Sequence, residues 1–173
     1  MFQKGEYVVC GGKGVCQVEN ITGLHLSGAD KDREYYILKP VYMTGSTVYV
    51  PVDTAEKTMR RVLNRREADK LIEEIPAIPL IVLANDKQLE QEYRSCMRSN
   101  CCEEWMKIIK TAYLRRQKRL EEGRKATETD SRYFRLAEEE LYGELAISLN
   151  LERNQVEDYI LQEMNKDSER DRV

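Results

Sequence analysis

The sequence is poor in the residues that most catalytic sites need. A single histidine, His25, stands in 173 residues, beside one tryptophan and two phenylalanines. One imidazole leaves out histidine-clustered metal sites and most acid–base pairs. Five cysteines (Cys10, Cys16, Cys96, Cys101, Cys102) form an odd set without a C-x-x-C pair. Neither a disulfide framework nor a zinc site is expected of them; they read as small buried thiols in a reducing compartment. No apolar run is long enough to span a bilayer: AIPLIVLA at 77–84 is short and carries Pro79. MFQKGEY at the start lacks the apolar stretch of a signal peptide, so a cytoplasmic location away from membranes is expected. There is no G-x-S-x-G elbow, and the paired acids Glu73–Glu74 and the run at 138–140 fall on helical patterns as solvated faces. An enzyme, a metal and a cofactor are all expected to be absent.

Charge is plentiful but segregated. Over the whole chain it sums to −3. Residues 107–125 nonetheless carry eight basic side chains against Glu121 and Glu122, a local charge of +6. The stretch 152–173 carries seven acids against four bases.

Two regimes of periodicity divide the chain. Residues 1–63 read as short strands at 6–10, 15–26, 34–42 and 47–52, with a fifth at 58–63, and glycines fall between them. From Asn64 the period becomes helical. Asn64 with Glu67, Asn85 with Gln88 and Asn100 with Glu103 share the spacing of a helix start. Apolar stripes follow: Ala68, Leu71, Ile72 and Ile75; Leu89, Tyr93, Cys96 and Met97; Trp105, Ile108, Ile109, Ala112 and Tyr113. Gly123 closes the third of these, Thr127 or Thr129 opens a helix through Phe134, Ala137, Leu141 and Leu145, and a last one carries Val156, Ile160 and Met164.

VVCGGKGVCQV at 8–18 suggests a phosphate-cradling loop at first sight. A P-loop, however, runs G-x-x-x-x-G-K-[ST] from a strand into a helix whose N-terminus faces the phosphates. Here Lys13 is followed by Gly14 and Val15, and the chain returns to a strand. The glycines read as a hairpin turn.

Two surfaces carry the functional signal. The first is basic: Lys107, Lys110, Arg115, Arg116, Lys118, Arg119, Arg124 and Lys125, continued by Arg132 and Arg135. It reads either as a solvated face balanced by the acidic last helix or as a surface for nucleic-acid phosphates, bound without sequence preference. The second is aromatic: Tyr35, Tyr36, Tyr42 and Tyr49, with His25 between Leu24 and Leu26, on neighbouring strands beside a sheet edge. Tyrosines beside an open edge suit a protein partner.

The order F-x-x-G-E-Y-V-V, G-K-G-V-C-Q-V-E-N-I, E-Y-Y-I-L-K-P and V-Y-V-P-V resembles the CarD/CdnL family of bacterial transcription regulators. Its barrel resembles the polymerase-interacting module of transcription-repair coupling factors. I-I-K-T-A-Y-L-R-R and L-A-E-E-E-L-Y-G-E-L-A resemble the family's C-terminal domain. The resemblance implies a Tudor-like domain on the β subunit of RNA polymerase, a helical domain on promoter DNA, and an effect on the open complex. Relatives carry arginines where this chain has Leu24 (beside His25) and Tyr49, so docking here is expected to be apolar and aromatic. Relatives also place a tryptophan wedge where this chain has Asp86, while Trp105 falls on an apolar stripe.

The expectation is therefore an α+β chain, with a Tudor/SH3-like antiparallel β-barrel at 1–63 and a bundle of about five helices at 64–173. The barrel is expected to bind polymerase through Leu24, His25, Leu26, Tyr36, Tyr49 and Pro51. The ten basic residues named above are expected to contact promoter DNA through its phosphates. The chain is expected to be a monomer when free. The alternative is an adaptor whose helices bind protein and not DNA.

Overall fold

The computed structural model describes residues 1–23 and 33–170, which fall into two compact units, Met1–Val62 and Leu63–Val173. The first holds five strands: β1 (Tyr7–Cys10), β2 (Gly14–Gly23), β3 (Glu34–Pro40), β4 (Val48–Pro51) and β5 (Met59–Arg61). They form one antiparallel sheet in the order β4-β3-β2-β1-β5. VVCGGKGVCQV is the β1–β2 hairpin. Cys10 pairs with Gly14 and Val8 with Cys16, and Lys13 donates its backbone N–H to Cys10 O at 2.9 Å. Gly12 and Gly14 both take positive φ (73° and 69°), which glycine adopts without steric cost.

The sheet is not the closed barrel that the sequence suggested. β4 and β5 stand at opposite edges and do not pair with each other. The chain between them is a 3-10 turn over Val52–Lys57, which packs on β3, β4 and β5. Its Ala55 is buried in the core, and Gly11 N–H donates to Thr58 O at 2.9 Å, tying the first hairpin to the end of the turn. That turn covers the core where a β4–β5 ladder would otherwise close it. The core itself is Val8, Cys10, Cys16, Val18, Tyr36, Leu38, Val50 and Met59 around Ala55.

The second unit holds five α-helices: α1 (Arg65–Glu74), α2 (Asp86–Arg98), α3 (Cys102–Glu121), α4 (Glu128–Leu149) and α5 (Val156–Arg170). Asn64 and Glu67 form a reciprocal capping box at 2.8 and 3.0 Å. Asn85 caps α2 and Thr127 caps α4 through side-chain oxygens. Asn100 does not cap α3 as its spacing with Glu103 suggested. It takes φ 55° just beyond α2, and Cys101 stands at the α3 N-cap without a side-chain bond. An asparagine tolerates this left-handed turn better than most residues, so Asn100 serves the end of one helix and not the start of the next. Gly123 ends α3 at φ 71°, with Arg124 N–H returning to Arg119 O at 2.8 Å.

Most of the stripe residues are buried, although Tyr113 is 50% exposed. Ile72, Tyr93, Trp105, Ile108, Leu141, Leu145 and Leu149 are all buried. A carboxylate lies among them: Glu144 accepts from the Leu63 backbone N–H and from the Cys102 thiol, both at 2.9 Å. No described helix is long and apolar enough to cross a membrane.

Candidate functional site

The β3–β4 pair divides its residues strictly by face. Tyr36, Leu38 and Val50 point into the core. Alternation then places Tyr35, Ile37, Tyr49 and Pro51 on the opposite face, where Ile37 pairs with Tyr49 and Tyr35 with Pro51. Tyr49 is 46% exposed; the other three are half-buried. β4 hydrogen-bonds only to β3 among the described strands, so no described strand pairs with its outer edge beside this patch. Charge sits at the margins. Arg33 grips Asp53 with a forked pair at 2.8–3.2 Å, and Lys39 pairs with Glu19. The centre is apolar and aromatic, with two tyrosine hydroxyls to orient a partner.

This arrangement corrects one expected docking residue. Tyr36 is 1% exposed, packs edge-to-face on Phe2 with centroids 5.8 Å apart, and accepts the Phe2 N–H at 3.0 Å. It holds the N-terminal segment onto the core and offers nothing to a partner. Tyr49 and Pro51 do lie on the patch, joined by Tyr35 and Ile37. Strand alternation was the signal for those two, once Leu38 was fixed as inward. Leu24, His25 and Leu26 lie outside the described residues.

The basic segment splits into two groups. Lys107, Lys110 and Arg115 are engaged within the helical unit. Lys107 pairs with Glu104, which holds that carboxyl below the usual range despite its partial burial. The same carboxylate accepts the Cys96 thiol at 3.2 Å, and burial together with this bond pushes the thiol up to about 12. Lys110 directs its ammonium at the carbonyls of Ile75 (2.7 Å) and Ile78 (2.6 Å), with Pro76 at 3.4 Å, and so satisfies the chain that leaves α1. Arg115 binds Asp130 through Nε (3.0 and 3.1 Å) and Asp86 through Nη2 (2.9 Å). Burial works against its charge, but the Asp130 and Asp86 bonds prevail and raise its proton affinity.

Asp130 is 2% exposed and also accepts from the Tyr93 hydroxyl and the Thr127 hydroxyl, both at 2.8 Å. Burial first, and this bond second, raise the Tyr93 hydroxyl far above the usual tyrosine range. One arginine on α3 thus fastens the first turns of α2 and α4. Asp86 is spent on this clasp, and Trp105 is buried at 2%, so neither position offers an aromatic wedge.

The remaining cations face solvent to differing degrees. Arg116, Lys118, Lys125 and Arg135 are exposed and make no ion pair among the described residues. Arg124 pairs with Glu122, Arg132 with Glu90 at 2.7 Å, and the half-buried Arg119 donates to Lys125 O at 2.7 Å. Grooves on this unit are open to solvent, such as one of about 440 Å³ over Phe134, Glu138, Tyr142 and Arg153. Among the described residues no group of three or more histidine, cysteine or acidic side chains could hold a metal ion.

That groove contains a half-buried carboxyl. Burial, then repulsion from Glu157 and Glu139, holds Glu138 above the usual glutamate range. A raised acid favours folding when protonated: the full benefit holds below the unfolded-state pKa and is lost as pH rises through the folded one. Glu138→Gln is therefore expected to raise the melting temperature by about 1–2 °C at pH 7 and not at pH 4. Calorimetry at the two pH values checks it.

The described part of the first unit thus presents an aromatic outer face on β3 and β4. Residues 2–63 match the family described as CarD-like/TRCF RID domain, which is what this part of the chain is similar to. No curated protein matches the chain.

Proposed function

We propose that the chain is a bacterial, cytoplasmic transcription regulator that acts by binding, without catalysing a reaction. Its N-terminal unit docks on the β subunit of RNA polymerase through Tyr35, Ile37, Tyr49 and Pro51 and the outer edge of β4. Its helical unit touches promoter DNA without reading sequence, through Arg116, Lys118, Lys125 and Arg135, with Arg119, Arg124 and Arg132 as neighbours. The match of residues 2–63 to the CarD-like/TRCF RID family carries this reading. The exposure of Arg116, Lys118, Lys125 and Arg135, which form no ion pair among the described residues, supports its second half.

A regulator of this kind needs only differential affinity. Polymerase held on an opened promoter and polymerase on a closed one present DNA differently. A protein that binds the first more tightly shifts the equilibrium by that ratio. No reacting group is required of the protein.

The test is the lifetime of open promoter complexes challenged with competitor, measured with and without the chain. A longer lifetime is expected, fading as salt rises. Four phosphate contacts imply a loss of about a hundredfold in DNA affinity between roughly 50 and 200 mM salt. Joint reversal of Arg116, Lys118, Lys125 and Arg135 to glutamate is expected to abolish that dependence and leave polymerase docking intact. An unchanged lifetime with docking intact would remove the open-complex role.

A further inference from the structure

The connector from α1 to α2 exposes apolar side chains that the rest of the fold does not use. Leu80 and Leu83 are each more than two-fifths exposed, and Val82 is 84% exposed. Leu114, one turn along α3 from Thr111, is 47% exposed. A loose loop would fold such residues inward, but this connector is fixed along α3. Lys110 holds the carbonyls of Ile75 and Ile78, Thr111 Oγ1 accepts the Ile81 N–H at 3.0 Å, and Arg115 holds Asp86. Ile81 is half-buried, while Leu80, Val82 and Leu83 face solvent. The strip is presented and cannot easily be retracted.

Its flanks carry cations, and the exposed Asp86 beside them is paired with Arg115. Lys87 opens α2 beside the Asp86–Arg115 clasp, Lys118 lies one turn beyond Leu114, and Lys110 lies beneath the connector bound only to neutral carbonyls. None of the three makes an ion pair among the described residues. Phosphates would find cations here only at the margins, with leucine and valine between them. An acidic protein segment with its own apolar anchors matches both parts of the surface. We infer that residues 80–83 with Leu114 form a docking strip for an acidic, apolar-anchored segment of a partner protein, separate from the β3–β4 patch; Lys118 at its edge is shared with the proposed DNA contact.

The test uses the full chain, isotopically labelled, titrated with three probes. One is a synthetic amphipathic peptide with leucine and phenylalanine on one face and glutamate elsewhere. The second is the same peptide with lysine for glutamate, and the third is a short DNA duplex. The acidic peptide is expected to shift the amide signals of 80–83 and 111–118 and to bind at least tenfold tighter than the lysine peptide. Val82→Asp changes an exposed side chain and should leave the melting temperature in place while removing this response. Lys118→Glu should weaken the acidic peptide and strengthen the basic one. No shift at the strip, equal response to both peptides, or a larger response at 80–83 to DNA would each overturn the inference.

Discussion

Tyr49→Glu is expected to weaken binding to the polymerase β subunit by about thirtyfold or more while leaving the fold intact. Tyr49 is the most exposed member of the patch and lies on β4, whose outer edge no described strand pairs, across from Ile37. Aromatic anchors at the centre of an interface commonly contribute about 2 kcal/mol or more, and that is about thirtyfold in affinity. Glutamate adds the penalty of burying an unpaired charge where Arg33 is already held by Asp53 and Lys39 by Glu19. The folded state loses little, because Tyr49 faces away from the core. Titration calorimetry with the isolated β lobe, paired with a thermal melt of the variant, separates the two. Tyr36→Ala supplies the contrast: it should lower the melting temperature first and reduce binding only as the unit unfolds, since Tyr36 supports Phe2 and faces no partner.

Arg115→Ala is expected to cost about 2–3 kcal/mol, lowering the melting temperature by roughly 5–10 °C. Removing one partner of a buried ion pair leaves the other charge unpaired, and here that charge is Asp130, almost wholly enclosed. The cost stays at the lower end because Tyr93 and Thr127 still donate to Asp130, and because Arg115 itself is about one-third exposed. Asp86→Ala breaks only the exposed half of the clasp and should cost well under about 1 kcal/mol. Arg115→Lys should recover only part, since an ammonium lacks the fork that reaches both carboxylates. Chemical denaturation of the four proteins checks the series. Equal effects for Arg115→Ala and Asp86→Ala would contradict the clasp.

Local chemistry was legible in the sequence wherever the determinant was local. Asn64 with Glu67, Asn85 with Gln88 and Gly123 after a basic run marked helix ends correctly, because each interaction spans only a few residues. The change from strand to helix near Asn64 was equally plain, as was the glycine hairpin in VVCGGKGVCQV. The α+β class follows from those alone. Misreadings fell where distant residues decide. Which tyrosine of EYYILKP points inward depends on the register slip between Val18 and Asn20 and on Phe2, far away in sequence. The open sheet depends on how the turn at Val52–Lys57 covers the core, which strand patterns do not encode. Eight basic residues between 107 and 125 looked alike as letters. The structure separates Lys110, committed to carbonyls 32–35 residues earlier, and Arg115, committed to Asp130 and Asp86, from the exposed Arg116 and Lys118.

The central claim, that the β3–β4 face grips RNA polymerase, is tested most directly by amide hydrogen exchange on the full chain with and without the purified β lobe. The account predicts slowed exchange concentrated at residues 34–37 and 48–51, where the outer face and the outer edge of β4 would be covered. It also predicts little change across α3 and α4 in the absence of DNA. Protection confined to the helical unit, or none in either unit at saturating β lobe, would contradict it.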